Sequence, residues 1–68
     1  MENLRKLRRK EGLTQKELAE KLNMSRASIA YYEIGRRSPD INRAKKLADY
    51  FGVSVDYIAY GEGKEGVQ

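Results

Sequence analysis

The sequence predicts an all-α domain of five short helices, and three observations carry that expectation. Apolar residues recur at helical spacing in successive segments, and Gly12, Asn23, Gly35 and Gly52 divide those segments. Thr14, Ser25, Asp40 and Ser54 each stand where a new helix would begin. With 40% hydrophobic and 35% charged residues, the chain also carries more apolar content than a disordered tail. It is nonetheless small. A chain of this size buries only about 60% of its unfolded surface on folding, so its stability is marginal.

Leu4, Leu7, Arg8 and Glu11 fall at i, i+3, i+4 and i+7, giving the opening helix a face that is apolar at one end and charged at the other. Gly12 stops it. In LTQKELAEKL, Thr14 stands three residues before Glu17, a capping box, and Leu13 and Leu18 take the positions of a hydrophobic staple. The inner face of this second helix is Leu18, Ala19 and Leu22, and the small Ala19 lets a neighbour approach closely. Ser25 starts a third helix through Ser28 and Tyr32, with Met24 and Ile29 as its staple. Only residues 23 to 25 separate the two, and Asn23 is one of the few non-glycine residues that enters the left-handed region at modest cost. A helix-turn-helix corner is expected there.

Gly35 ends the third helix, and residues 36 to 39 make a polar connection. Asp40 then caps a fourth helix with Ile41, Ala44, Leu47, Ala48 and Phe51 on one face; Ser38 with Pro39 in the first turn is an alternative start. Gly52 stops that helix, and Ser54 caps a short last one with Val53 and Ile58 as its staple. From Gly61 the string GEGKEGVQ has no apolar periodicity. The division expected is a folded domain over residues 1–60 and a flexible tail or the start of a linker over 61–68. No internal repeat is apparent.

The net charge of +4, from 14 Lys and Arg against 10 Asp and Glu, attracts polyanions without identifying one. Arg5, Lys6, Arg8, Arg9 and Lys10 form one basic cluster, and Arg36, Arg37, Arg43, Lys45 and Lys46 another, in which Lys45 and Lys46 read as a solvated face. With no His and no Cys there is no ordinary nucleophile and base pair, no disulfide and no thiolate metal site, and the carboxylates lack metal-ligand spacing. A non-enzymatic domain without metal or cofactor is expected, and no small-molecule ligand is evident. No apolar run approaches the roughly 18 residues that span a bilayer, and Met1 to Lys10 is too charged for a signal-peptide core, so a cytoplasmic location and no membrane partner are expected.

Within the third helix, Ile29 and Tyr32 point one way, and Ala27, Ala30, Tyr31 and Ile34 roughly the other. Tyr32 therefore belongs with the core, and Tyr31 lies outside with Arg26 and Ala27. Glu33 has the wrong sign for the last turn of a helix and sits beside the inward face, so it needs a cation. Arg8 is the opposite anomaly, a charge four residues after Leu4 on an apolar face. A partly buried Arg8 to Glu33 ion pair is expected, with Arg36 or Arg37 as the other available partners. An outward Arg26 reads as a bidentate contact to guanine, as a phosphate clamp, or as a solvated arginine at a helix start. Tyr31 reads as a contact to bases or sugars, or as an exposed aromatic.

Taken in order, LRKLR, GLTQKELAEKL, SIAYYEIGRR, the proline shortly after and LADYFGVSVDYI resemble the lambdoid phage repressor and Cro type of helix-turn-helix, the xenobiotic-response-element family of regulators, from about Leu4 to Ile58. The resemblance implies a compact, lambda-repressor-like fold in which helix three, about residues 26–34, lies in the major groove of double-stranded DNA. It implies Ser25, Arg26, Ala27 and Tyr31 at base edges, and Gln15, Ser28, Arg36 and Arg37 on phosphates. An Arg and Glu pair at the positions of Arg8 and Glu33 belongs to the same pattern. The chain departs from it at Asn23, where a glycine is usual, and at Ile34, where a polar residue often precedes the glycine. The implied role is a bacterial or phage-encoded transcriptional regulator, a repressor, acting as a homodimer on a two-fold symmetric operator. The last helix offers Val55, Tyr57 and Tyr60 to a twin, although Val53, Val55 and Ile58 can equally complete the core. The rival reading is a protein-binding adaptor or antitoxin module of the same fold.

Overall fold

The computed structural model describes residues 1–61, in which α1 (Leu4–Lys10), α2 (Gln15–Leu22), α3 (Arg26–Ile34), α4 (Ile41–Phe51) and α5 (Val55–Tyr60) follow one another with no strand among the described residues. The expected tail falls, beyond Gly61, outside the described residues. The expected helix starts are in place. Glu17 N donates to Thr14 Oγ1 at 3.0 Å while Thr14 N donates to Glu17 Oε1 at 2.8 Å, which closes the capping box on α2. Ser25, Asp40 and Ser54 each accept from the backbone N–H three residues ahead. Asp40, rather than Ser38, is therefore the start of α4.

Three of the four corners are built the same way, although the chain repeats no larger unit. In Gly12-Leu13-Thr14, Asn23-Met24-Ser25 and Gly52-Val53-Ser54 the first residue is left-handed and the last caps the next helix. The middle residue packs against the core and its N–H turns back onto the helix just ended: Leu13 to Arg8 O at 3.1 Å, Met24 to Ala19 O at 2.9 Å, Val53 to Ala48 O at 3.0 Å. Three residues thus satisfy two helix ends at once. Asn23 carries φ 57°, the one non-glycine residue in that region among those described. Asn23→Ala is expected to lower stability by about 1 kcal/mol, because alanine meets the Cβ penalty there without asparagine's local hydrogen bonding, whereas Asn23→Gly is tolerated. A melting temperature falling by roughly 4 to 8 °C in the alanine variant alone is the check. The corner after α3 differs. Gly35 is left-handed and Arg36 N donates to Tyr31 O at 3.0 Å, but the residue in the middle is basic and a longer connection follows.

Each helix supplies one fully buried side chain to the centre: Leu4, Leu18, Ile29, Leu47 and Ile58. Ala19, Leu22, Tyr32 and Ala48 surround them. The N-terminal segment closes α1 against the end of α5, with Glu2 N donating to Ala59 O at 3.1 Å and Asn3 N to Ile58 O at 3.2 Å. One expectation is corrected here and another is extended. Ile41, placed on the apolar face of α4, is 65% exposed, because the first residue of the helix projects beyond the end of the core although its angular position is right. Lys46 is exposed as expected and also donates from Nζ to Leu22 O at 2.8 Å, which ties α4 to the C-terminus of α2.

Candidate nucleic-acid interface

The last-turn anomaly of α3 resolves into a buried network. Glu33 Oε2 accepts from Arg8 Nε at 2.5 Å, and Oε1 accepts from Arg8 Nη2 at 3.2 Å and from Gln15 Nε2 at 3.1 Å. Arg8 Nη1 donates to Leu13 O at 2.6 Å, and Arg5 Nε lies 3.5 Å from Glu33 Oε1. The Arg8 to Glu33 pair is present and more deeply buried than expected, with no exposure at the Glu33 side chain. The alternative partners, Arg36 and Arg37, are not paired with Glu33, and a second cation, Arg5, is. Burial opposes the charged form of Glu33, but hydrogen bonds from Arg8 and Gln15 and the Arg8 charge outweigh it, and the carboxyl is held below its ordinary value. These bonds fix α1, the start of α2 and the end of α3 to one another. Gln15, expected on a phosphate, is therefore anchored from behind, with one amide N–H on Glu33 and a second still available.

On that scaffold α3 turns Ile29, Tyr32 and Glu33 inward. Arg26, Ala27, Tyr31 and Ile34 are exposed, so the two neighbouring tyrosines divide as their spacing predicts. Ser25 Oγ accepts from Ser28 N at 3.0 Å and donates to Ser28 Oγ at 2.8 Å. Its proton is thereby engaged, which leaves Ser25 an acceptor toward any ligand and Ser28 the hydroxyl with a proton to donate. The Arg37 guanidinium lies 5.8 Å from the centre of the Tyr31 ring, a cation–π distance, and Tyr31, Arg36 and Arg37 line an open hollow of about 220 Å³ at the end of α3. Arg43 is engaged elsewhere, with Nη1 2.9 Å from Asp40 Oδ2. The structure thus brings Arg26, Ala27, Ser28 and Tyr31 onto one helix capped by Ser25, with Arg36 and Arg37 beyond its end.

In α5, Val55 packs against the core, Tyr57 is half-buried, and Tyr60 is 67% exposed. Of the three residues offered to a twin, Tyr60 is the one left largely free. Sequence reasoning missed Arg5 in the Glu33 network. Its signal was its position one turn before Arg8, at i−3 on the same side of α1.

The helix-turn-helix family model matches residues 4–58. The HTH-type transcriptional regulator ImmR of Bacillus subtilis is 44% identical over 55 residues, which cover 81% of this chain and 43% of that protein. An uncharacterized HTH-type transcriptional regulator of the same organism, YqaE, is 39% identical over 66 residues, covering 97% and 57%. The HTH-type transcriptional activator BcrR of Enterococcus faecalis is 38% identical over 61 residues, covering 90% and 30%. The chain spans about half the length, or less, of these curated relatives. No solved structure matches it. No helix among the described residues is long and apolar enough to cross a membrane. The match runs from the start of α1 into α5 and takes in the Asn23 to Ser25 corner, so the chain belongs to the helix-turn-helix family, of the xenobiotic-response-element type, with a lambda-repressor-like fold.

Proposed function

We propose that this domain binds double-stranded DNA sequence-specifically and regulates transcription, with α3 in the major groove. The observation that carries the reading is the outer face of α3: Arg26, Ala27 and Tyr31 are exposed on a helix held rigidly from behind, with Arg36 and Arg37 following it. An α-helix fits the major groove, whose edges distinguish all four base-pair orientations. Arg26 suits guanine O6 and N7, Ala27 a thymine methyl, Tyr31 a base or sugar, and Ser25 a base-edge donor. Gln15, Ser28, Arg36 and Arg37 hold the phosphates on either side. The names of the relatives support regulation of transcription. The action is repression, for which occupancy of an operator is sufficient.

One such domain covers few base pairs, so two copies act on half-sites about one helical turn apart. Tyr60, with Tyr57 one turn before it, is the end of α5 available to the second copy, and Val55 at the start of the helix contributes only its partly exposed side. Selection from a random duplex pool is expected to enrich sequences with two-fold symmetry. If about four phosphates are neutralised per domain, log affinity falls with log salt at a slope near −3.6, roughly a hundred-fold loss between 50 and 200 mM. A pool without enrichment, or an affinity indifferent to salt, overturns the reading and favours a protein-binding adaptor.

A further inference from the structure

We propose that Arg5 is a phosphate-contacting residue, held beside Gln15 by their shared anchor on Glu33. The inference rests on the DNA-binding reading and adds to it a residue and the chemical class it takes, a backbone phosphodiester. Glu33 Oε1 accepts hydrogen bonds from Gln15 Nε2 at 3.1 Å and Arg8 Nη2 at 3.2 Å, and lies in an ion-pair contact with Arg5 Nε at 3.5 Å. Arg8 is buried and each of its three nitrogens is engaged, since Nε and Nη2 face the carboxylate and Nη1 the carbonyl of Leu13. Both oxygens of Glu33 are therefore satisfied without Arg5, whose contact is the longest of the set.

Two guanidinium groups face one carboxylate, and the surplus positive charge is that of Arg5. Its side chain is 48% exposed, and its two terminal amino groups have no protein partner among the described residues. Gln15 is tied to the same oxygen by one amide N–H and keeps the other. The carboxylate thus holds an α2 amide and draws an α1 guanidinium to the same oxygen, so an anion bound by the free amide N–H of Gln15 lies close to the Arg5 charge. Glu33 is the positioning residue of this pair and touches no DNA itself. Lys6, one residue on, is placed differently and lines a hollow with Tyr60 and Asn3.

The salt dependence of duplex binding tests this in the full chain, with a labelled duplex as the probe. Arg5→Gln is expected to make the slope shallower by about 0.9, so that the variant loses about three-fold less affinity than the parent between 50 and 200 mM salt. Binding should weaken alike on all sequences and the melting temperature should hold. Arg5→Lys should restore the slope, and Lys6→Gln should leave it intact. A parental slope in Arg5→Gln, or an equal change in Lys6→Gln, overturns the assignment alone, as does a fall in melting temperature with the slope kept. A parent chain that binds duplex without salt dependence overturns the DNA-binding reading and this inference together.

Discussion

Glu33→Gln is expected to lower the unfolding free energy by about 3 to 5 kcal/mol, the range found when one partner of a buried ion pair is removed. A domain of this length holds only about 3 to 10 kcal/mol in total, so the loss is a large share of it and the melting temperature should fall by more than about 10 °C. The effect is large because of what remains. Arg8 is 9% exposed at its side chain, and without the carboxylate its charge is left in the interior with only neutral acceptors, the Leu13 carbonyl and the new amide oxygen. The reciprocal change, Arg8→Met, leaves the carboxylate buried but still near Arg5 and Gln15, and should cost somewhat less. Replacing both partners with apolar residues removes both desolvation penalties, so the double variant should be more stable than Glu33→Gln. Urea unfolding of the parent, Glu33→Gln, Arg8→Met and the variant combining those two changes measures the coupling, and additive losses would show that the pair is not acting as a unit.

The same network sets an acid limit. Burial raises the Glu33 carboxyl, and the hydrogen bonds from Arg8 and Gln15 together with the Arg8 charge lower it further than burial raises it. Its folded value therefore lies below the ordinary 4.5. Stability from this group is fully present above about pH 4.5 and is lost as pH falls through the folded value. Glu17 and Asp40 are lowered too, each first by a backbone hydrogen bond at its cap, so the parent curve contains several carboxylates. The difference between the parent and Glu33→Gln across pH 3 to 7 isolates Glu33, and it should shrink on the acid side.

Much of this was legible in the sequence, and the division is physical. Caps and left-handed stops obey rules spanning three to six residues, which is why Thr14, Ser25, Asp40, Ser54 and Asn23 mark their helices correctly. Charges out of place on an apolar face pointed to Arg8 and Glu33. Periodicity gives the angle of a residue around its helix but not how far along the core it reaches, and Ile41 was misplaced for that reason. Arg5, Gln15 and Lys46 depend on long side chains meeting groups on other helices, at a carboxylate oxygen or a terminal carbonyl. Such meetings follow from helix packing and leave no local pattern. Ile34 is 56% exposed, and nothing in the structure explains an isoleucine there.

Ala27→Glu is expected to separate the surface of α3 from its scaffold, because folding and binding should respond with opposite signs. The first turn of α3 holds no acidic residue, and Ala27 is exposed there. A carboxylate beside the positive end of the helix dipole stabilises by about 0.3 to 1 kcal/mol, so the variant should melt at or slightly above the parent temperature. In the major groove the same carboxylate lies between phosphates and acceptor-bearing base edges, where like-charge juxtaposition costs several kcal/mol. Duplex affinity should then fall by about a hundred-fold or more. Arg26→Ala removes a contact without adding repulsion and should cost only about 1 to 3 kcal/mol, with relaxed preference at one base position. A change that damaged the fold would instead reduce melting temperature and affinity together. If Ala27→Glu keeps parental affinity for a selected duplex, the outer face of α3 does not lie in the groove, and whatever this domain binds is met by another surface.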